Sequence, residues 1–459
     1  MERESGAVAS PLERLPPELI RAILSELDSL DTLHCAVLSC RVLWYCFSGN
    51  SSGISTRIVF NHLDPCDVRP EALAALQASS LPGPTISLVR EFCALHLSNR
   101  HVDSGISVTI AEAAAIAKLQ STVSRLADEF VKTNIRKLPT PTHGEQTSLS
   151  LEPSKSEKRR IMRALYAIEI FYNLFRKTTM SDEGVGQCMN EFLLNFAPWE
   201  IEQIACVHEF LFLHISPAFD DIAAHDVLWG EFEVEPAQWF GSPDLQTVLF
   251  QGLVTLESIA KANTYTQRYD LLHQGRIPPT RDRTLYRALK DINYEGIDDR
   301  DASVSGYGNS QDYAFRVKSA FFEDPDNGPF TIWKWAHESQ SLRQSVYQRE
   351  KAPLRKWGYV MWDRDRLDAC GILQDRWQPP VTGRSLPDDP PREMDDERWI
   401  SSWRERSRIH MEGGSGWWDF GDESKIVWAR RKAGGVAKAP DTPKSLDEAK
   451  RAILALQRH

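Results

Sequence analysis

His208, Glu209 and His214 are the first residues to invite a chemical reading. A helix bearing a His-Glu pair and a second imidazole can hold zinc and set a carboxylate base beside its water. That geometry needs the imidazoles at i and i+4, and the spacing of six turns His214 away from His208. Asp324-Pro325-Asp326-Asn327-Gly328 has the acids and glycine of a calcium loop. Its glycine comes one position early and no distal Glu completes the shell, so it reads as a turn. Gly413-Gly414-Ser415-Gly416 runs into Trp417-Trp418 with no Lys-Ser or Lys-Thr to hold phosphate, and reads as a loop. Asp298-Asp299-Arg300-Asp301 offers paired carboxylates but reads as an exposed acidic loop. None of the eight cysteines forms a C-x2-C pair. The expectation is a chain without catalytic residues, metal or cofactor.

The elements around these residues belong to an ordinary globular chain. It has 459 residues, 42% of them hydrophobic and 26% charged, with 54 Lys and Arg against 64 Asp and Glu for a net charge of −10. Such usage excludes a collagen, a disulfide scaffold and a wholly disordered chain. The acidic balance argues against nucleic acid as the main partner. The opening MERESGAVAS lacks the apolar core of a secretory signal, and no apolar run approaches the roughly 18 residues of a membrane span. The expectation is a soluble chain of the cytoplasm or nucleus, with reduced thiols and no membrane partner.

The densest apolar patterning lies in Pro11 to Ser48. Pro16-Pro17 precedes Leu19, Ile20, Ile23, Leu24 and Leu27, which recur at helical spacing after a proline-tolerant first turn. Asp28 to Asp31 reads as a turn with Asp31 as the next N-cap, followed by Leu33, Val37, Leu38 and Trp44. A unit of about 40 residues buries little surface alone, which points to docking.

Leu15-Pro16-x-Glu18-Leu19, Ile23-Leu24, Leu27, Leu33 and Val37-Leu38-Ser39-Cys40-Arg41 leading to Trp44 resemble the F-box over about 38 residues. Cys35, Cys40 and Cys46 make the second half unusually rich in thiols, and Leu43-Trp44-Tyr45 is bulkier than the usual tail. The resemblance implies a three-helix module that binds Skp1 and, through it, a cullin–RING ubiquitin ligase. It also implies that Leu15, Pro16, Leu19, Ile23, Leu33, Val37 and Trp44 build or expose the Skp1-facing surface. The expected role is a substrate-recruiting adaptor with an unspecified protein target. Rival readings are a Skp1 partner acting outside a ligase, or a ligand-binding or enzymatic protein using the Trp-rich region.

The remainder reads as mainly α. A helical region is expected over 51–135, with a capping box at Thr109 and Glu112, then a linker over 136–158. A helical body follows over 159–376, including one helix that starts at Ser242-Pro243-Asp244 and carries Leu245 through Leu256. No leucine-rich, kelch or WD repeat is visible. Ten of the 14 tryptophans lie between Trp333 and Trp428. GPFTIWKWAH and LRKWGYVMWDRDRL in this region loosely resemble uncharacterised fungal proteins, which implies no activity. Trp333, Trp335, Trp357 and Trp362 either line a target-binding groove or anchor a loop-rich core, the second being favoured. A second linker is expected over 377–398, a Trp-rich segment over 399–429, and a basic tail over 430–459 whose final helix opens at Ser445.

Overall fold

A computed structural model describes residues 11–98, 106–139, 151–178, 180–231, 234, 237, 240–274, 284–317, 324–378 and 396–428, which are mainly helical. Most of the expected linkers (140–150 and 379–395) and the basic tail from 429 onward lie outside the described residues. The chain divides into two units, Met1–Ala224 with Val234–Trp399, and His225–Glu233 with Ile400–His459.

The larger unit opens with three short helices, α1 (Pro17–Ser25), α2 (Leu30–Ser39) and α3 (Arg41–Ser48). Pro17 occupies the first turn of α1, where its missing N–H removes no bond. The cap of α2 is Ser29, whose hydroxyl accepts from Thr32 N at 3.0 Å, and not Asp31. Asp31 instead sits in the first turn, where its charge suits the positive helix end. Cys40, in extended conformation, separates α2 from α3.

α4 (Ser51–Leu63) contributes Ile54 and Ile58 to the same apolar cluster as Ile20, Leu24, Leu33, Val37, Leu43 and Phe47. The boundary expected at residue 50 therefore cuts through a shared core. α5 (Arg69–Ser80) and α6 (Ile86–Phe92) follow, the latter continued by a π-turn over Cys93–Leu97. α7 (Ile110–Asn134) begins at the expected capping box, with Thr109 N donating to Glu112 Oε2 at 2.8 Å. α7 packs on both α4 and α8 (Lys155–Phe175), and α5 lies along α8. A second capping box, Ser154 with Glu157, starts α8 inside the stretch expected to be linker.

α9 (Asp182–Leu193) leads to α10 (Pro198–His225), which is buried along most of its length. α11 (Val227–Glu231) belongs to the smaller unit. The single helix expected from Ser242 is two, α12 (Pro243–Leu249) and α13 (Leu253–Lys261), because Gly252 adopts a φ of 95° between them. Glu169 then accepts from Leu253 N at 2.8 Å and caps α13. α14 (Tyr265–Gln274), α15 (Leu285–Lys290), α16 (Ser310–Val317), α17 (Gly328–His337), α18 (Ala352–Arg355) and α19 (Arg364–Ala369) are short and joined by turns.

A buried ionic network ties this irregular part to α8. Arg160 donates to Asp324 at 2.7 Å, to Asp363 at 2.7 Å and to Met361 O at 2.9 Å. Glu157 accepts from Arg366 at 2.7 and 2.8 Å. Such pairs hold geometry while adding little net stability, but losing one partner strands a buried charge.

In the smaller unit, α20 (Asp396–Met411) and α11 accompany a two-stranded antiparallel sheet, β1 (Gly414–Gly416) and β2 (Ile426–Trp428), paired Ser415 to Val427. Val227, Ile409, Trp418 and Ile426 form its core. The glycine run expected to be a loop is thus a strand. Its Gly414 passes so near Ile409 that an added Cβ would lie 2.5 Å from Cγ2.

Candidate partner-docking surface

The apolar stripe of α1 splits into two. Successive residues advance about 100° around a helix, so Ile20 with Leu24 and Leu19 with Ile23 form adjacent stripes. Ile20 and Leu24 are buried in the cluster with Leu33 and Val37, while Leu19 and Ile23 are 51% and 43% exposed. α3 divides likewise: Leu43, Cys46 and Phe47 face the core, and Trp44 is 50% exposed. The Trp44 ring centroid lies 6.4 Å from that of Phe47, so one side of the indole rests on the core. Arg21 Nε donates to Cys46 O at 3.3 Å and links α1 to α3.

Of the seven residues assigned to the Skp1-facing surface, Pro16, Leu19, Ile23 and Trp44 are exposed and Leu15 is half-buried. Leu33 and Val37 are buried, so they build the module and are closed to a partner. Two residues outside that set, Leu38 and Tyr45, are each 69% exposed. The signal for them was present, since each follows a core position (Val37, or the core-adjacent Trp44) by one residue and is turned outward by helical phase. Exposed apolar side chains grouped in so short a segment are unusual on a surface without a partner.

The tryptophans take different positions. Trp333, Trp357 and Trp362 are buried, and only Trp335 is half-buried. Trp333 Nε1 donates to Ser345 O at 2.9 Å, Trp362 Nε1 to Trp357 O at 2.9 Å, and Trp335 Nε1 to Asp375 O at 2.6 Å. Trp199, Tyr313, Phe330 and Trp333 pack edge to face or tilted, with Trp199 centroids 5.1–5.6 Å from the others. Three of the four candidates therefore anchor the core and line no open groove.

The other residues with chemical potential are engaged in structure. Burial pushes His208 down to about 4, and its Nε2 lies 3.2 Å from Gln246 Oε1. His214 stacks on Phe210 at 5.4 Å. Asp324 is held by Arg160 and Asp299 by Arg316 at 3.0 Å. Among the described residues no group of three His, Cys, Asp or Glu is placed to hold a metal ion. Glu202 and Glu209, one face of α10, share the buried Arg355, whose Nε donates to Glu209 at 2.7 Å. No helix among the described residues is long and apolar enough to cross a membrane.

No family model, curated protein or solved structure matches the chain.

Proposed function

We propose that this chain is a substrate-recruiting adaptor that docks on Skp1 through residues 11–50 and brings a target protein to a cullin–RING ubiquitin ligase. One observation carries the reading. The module satisfies its own core with Ile20, Leu24, Leu33 and Val37, yet leaves Leu19, Ile23, Leu38, Trp44 and Tyr45 in solvent. Aromatic and aliphatic anchors of this kind dominate binding once a partner excludes water from them. The resemblance of Leu15-Pro16-x-Glu18-Leu19 and its following positions to the F-box names the partner. The chain then needs no bond chemistry of its own. Tethering raises the effective concentration of the target's lysines near the charged ubiquitin carrier.

Co-purification with Skp1 from cells expressing the full chain tests the docking step. Leu19→Ala and Trp44→Ala should each weaken binding by about thirtyfold, the effect of a hot-spot residue. Their melting temperatures should stay near wild type, because both side chains are about half exposed. Leu33→Ala serves as the contrast, destabilising the fold by about 2–5 kcal/mol through a core cavity. Undiminished Skp1 binding by the Leu19/Trp44 double variant would overturn the assignment. Cullin in the same eluate separates a ligase adaptor from a Skp1 partner acting outside a ligase.

A further inference from the structure

In the larger unit the ammonium of Lys351 is buried without an acidic partner. Lys351 ends the short turn Arg349–Lys351 and is 2% exposed. Its Nζ donates to Ala336 O, near the end of α17, and lies 3.2 Å from the ring centroid of Trp377. Among the described residues no carboxylate pairs with it. A neutral carbonyl and an indole face stand in for the water an ammonium needs, and replace it incompletely. Burial pushes Lys351 down to about 8, against weaker attraction from Glu202 on α10 and Glu350 on its own turn. Two basic groups on neighbouring elements do not follow it: burial pushes His337 of α17 down to about 3, and Arg355 of α18 is held by Glu209 and Glu202. Arg349, on the same turn, is exposed.

Trp377 is the removable wall of this enclosure. From Leu373 to Gln378 no residue is fully buried. The stretch is held by Trp335 Nε1, which donates to Asp375 O at 2.6 Å, and by Arg376 beside Glu338 at 3.8 Å, an exposed pair of little strength. Few buried contacts mark a segment that opens locally without unfolding its surroundings. Opening lifts the indole from Lys351 and lets water reach the ammonium. The open form therefore holds the proton more tightly than the closed one, and by linkage a rise in pH shifts the balance towards closed. The attraction of an indole face for a cation works in the opposite sense, so the two effects differ in what removing the charge should do.

We propose that residues 373–378 form a strap over Lys351, loosened when that side chain carries its proton and fastened when the charge is removed. The strap follows α19 and runs into the stretch read as linker, so its state sets where the chain leaves the larger unit.

The test is the rate of trypsin cleavage after Arg376, whose side chain is 66% exposed, in the full chain. Each rate is divided by that of a small arginine ester at the same pH, so that it reports the open population of the strap. From pH 7 to pH 9 cleavage of the wild type should slow by up to about tenfold, as expected of a group at about 8 when closed and near 10.4 when open. Lys351→Met, with a stem of similar length and no charge, should be cleaved slowly at both pH values. Lys351→Arg, which keeps the charge, should be cleaved fast at both. Faster cleavage of Lys351→Met than of wild type at pH 7 overturns the proposal and makes indole–ammonium attraction the fastener. A wild-type rate that does not change with pH also overturns it. Where a variant does not fold, fluorine NMR of the wild-type chain carrying 5-fluorotryptophan decides the matter. Trp377→Phe assigns the signal, which should titrate with a midpoint near 8; a midpoint near 10.4, or no titration, excludes the strap.

Discussion

Glu257 on α13 is gripped from two helices. Thr122 of α7 donates to it at 2.9 Å, Lys261 of its own helix at 2.7 Å, and Arg125 of α7 closes the pair. Burial by itself raises a carboxyl group, but these hydrogen bonds outweigh it and hold Glu257 down to about 2. A folded value below the unfolded one, near 4.3, means that the stabilisation is fully present above the unfolded value. It is lost as pH falls from there towards 2. Glu257→Gln should therefore flatten the fall in melting temperature between about pH 4.5 and pH 2.5 while lowering it at pH 7. An unchanged acid slope would show that Glu257 does not link α7 to α13 in this way. The grip from α7 was not legible in the sequence, because Thr122 and Arg125 are more than 130 positions away from their partner.

At the scale of elements, local chemistry spoke clearly at the start of α7, misled at the starts of α2 and α8, and spoke poorly at helix breaks. Thr109 with Glu112 is a reciprocal pattern contained in four residues, and the structure forms it as read. Gly252 and Gly358 could not be read so, since a glycine declares its role only once its neighbours are known. Gly358 has a φ of 68°, and a Cβ there would lie 2.8 Å from Phe130 Cζ, on a ring packed edge to face with Phe210 at 5.3 Å. Gly296 has a φ of 88° with nothing within 4 Å of its added Cβ. Gly296→Ala should thus cost about 1 kcal/mol from backbone strain alone. Gly358→Ala should cost on the order of 2–4 kcal/mol, strain and overpacking together. Urea unfolding of the two variants measures the difference, and equal losses would exclude the Phe130 contact as a constraint.

For the whole molecule, the N-terminal module is not a bead on a string. Its core cluster extends into α4 through Ile54 and Ile58, and α4 packs in turn on α7. A fragment of residues 11–50 should melt broadly by circular dichroism, and one of residues 11–63 more sharply, because two buried isoleucines complete the cluster. A sharp transition in the shorter fragment would restore the boundary at residue 50.

The sequence by itself determined the mainly helical class, the helical starts at Pro17 and Thr109, and the apolar stripe of the N-terminal segment. These follow from periodicity, prolines and caps, all set by residues within one or two turns of each other. Only the tertiary structure decided which half of that stripe is buried. It also turned Trp333, Trp357 and Trp362 from candidate binding residues into core anchors, and made Asp324 and Asp363 partners of Arg160. Apolarity fixes how much a side chain gains by leaving water, but what covers it is a contact between distant segments. A carboxylate is likewise a site or a strut according to which cation the fold delivers to it.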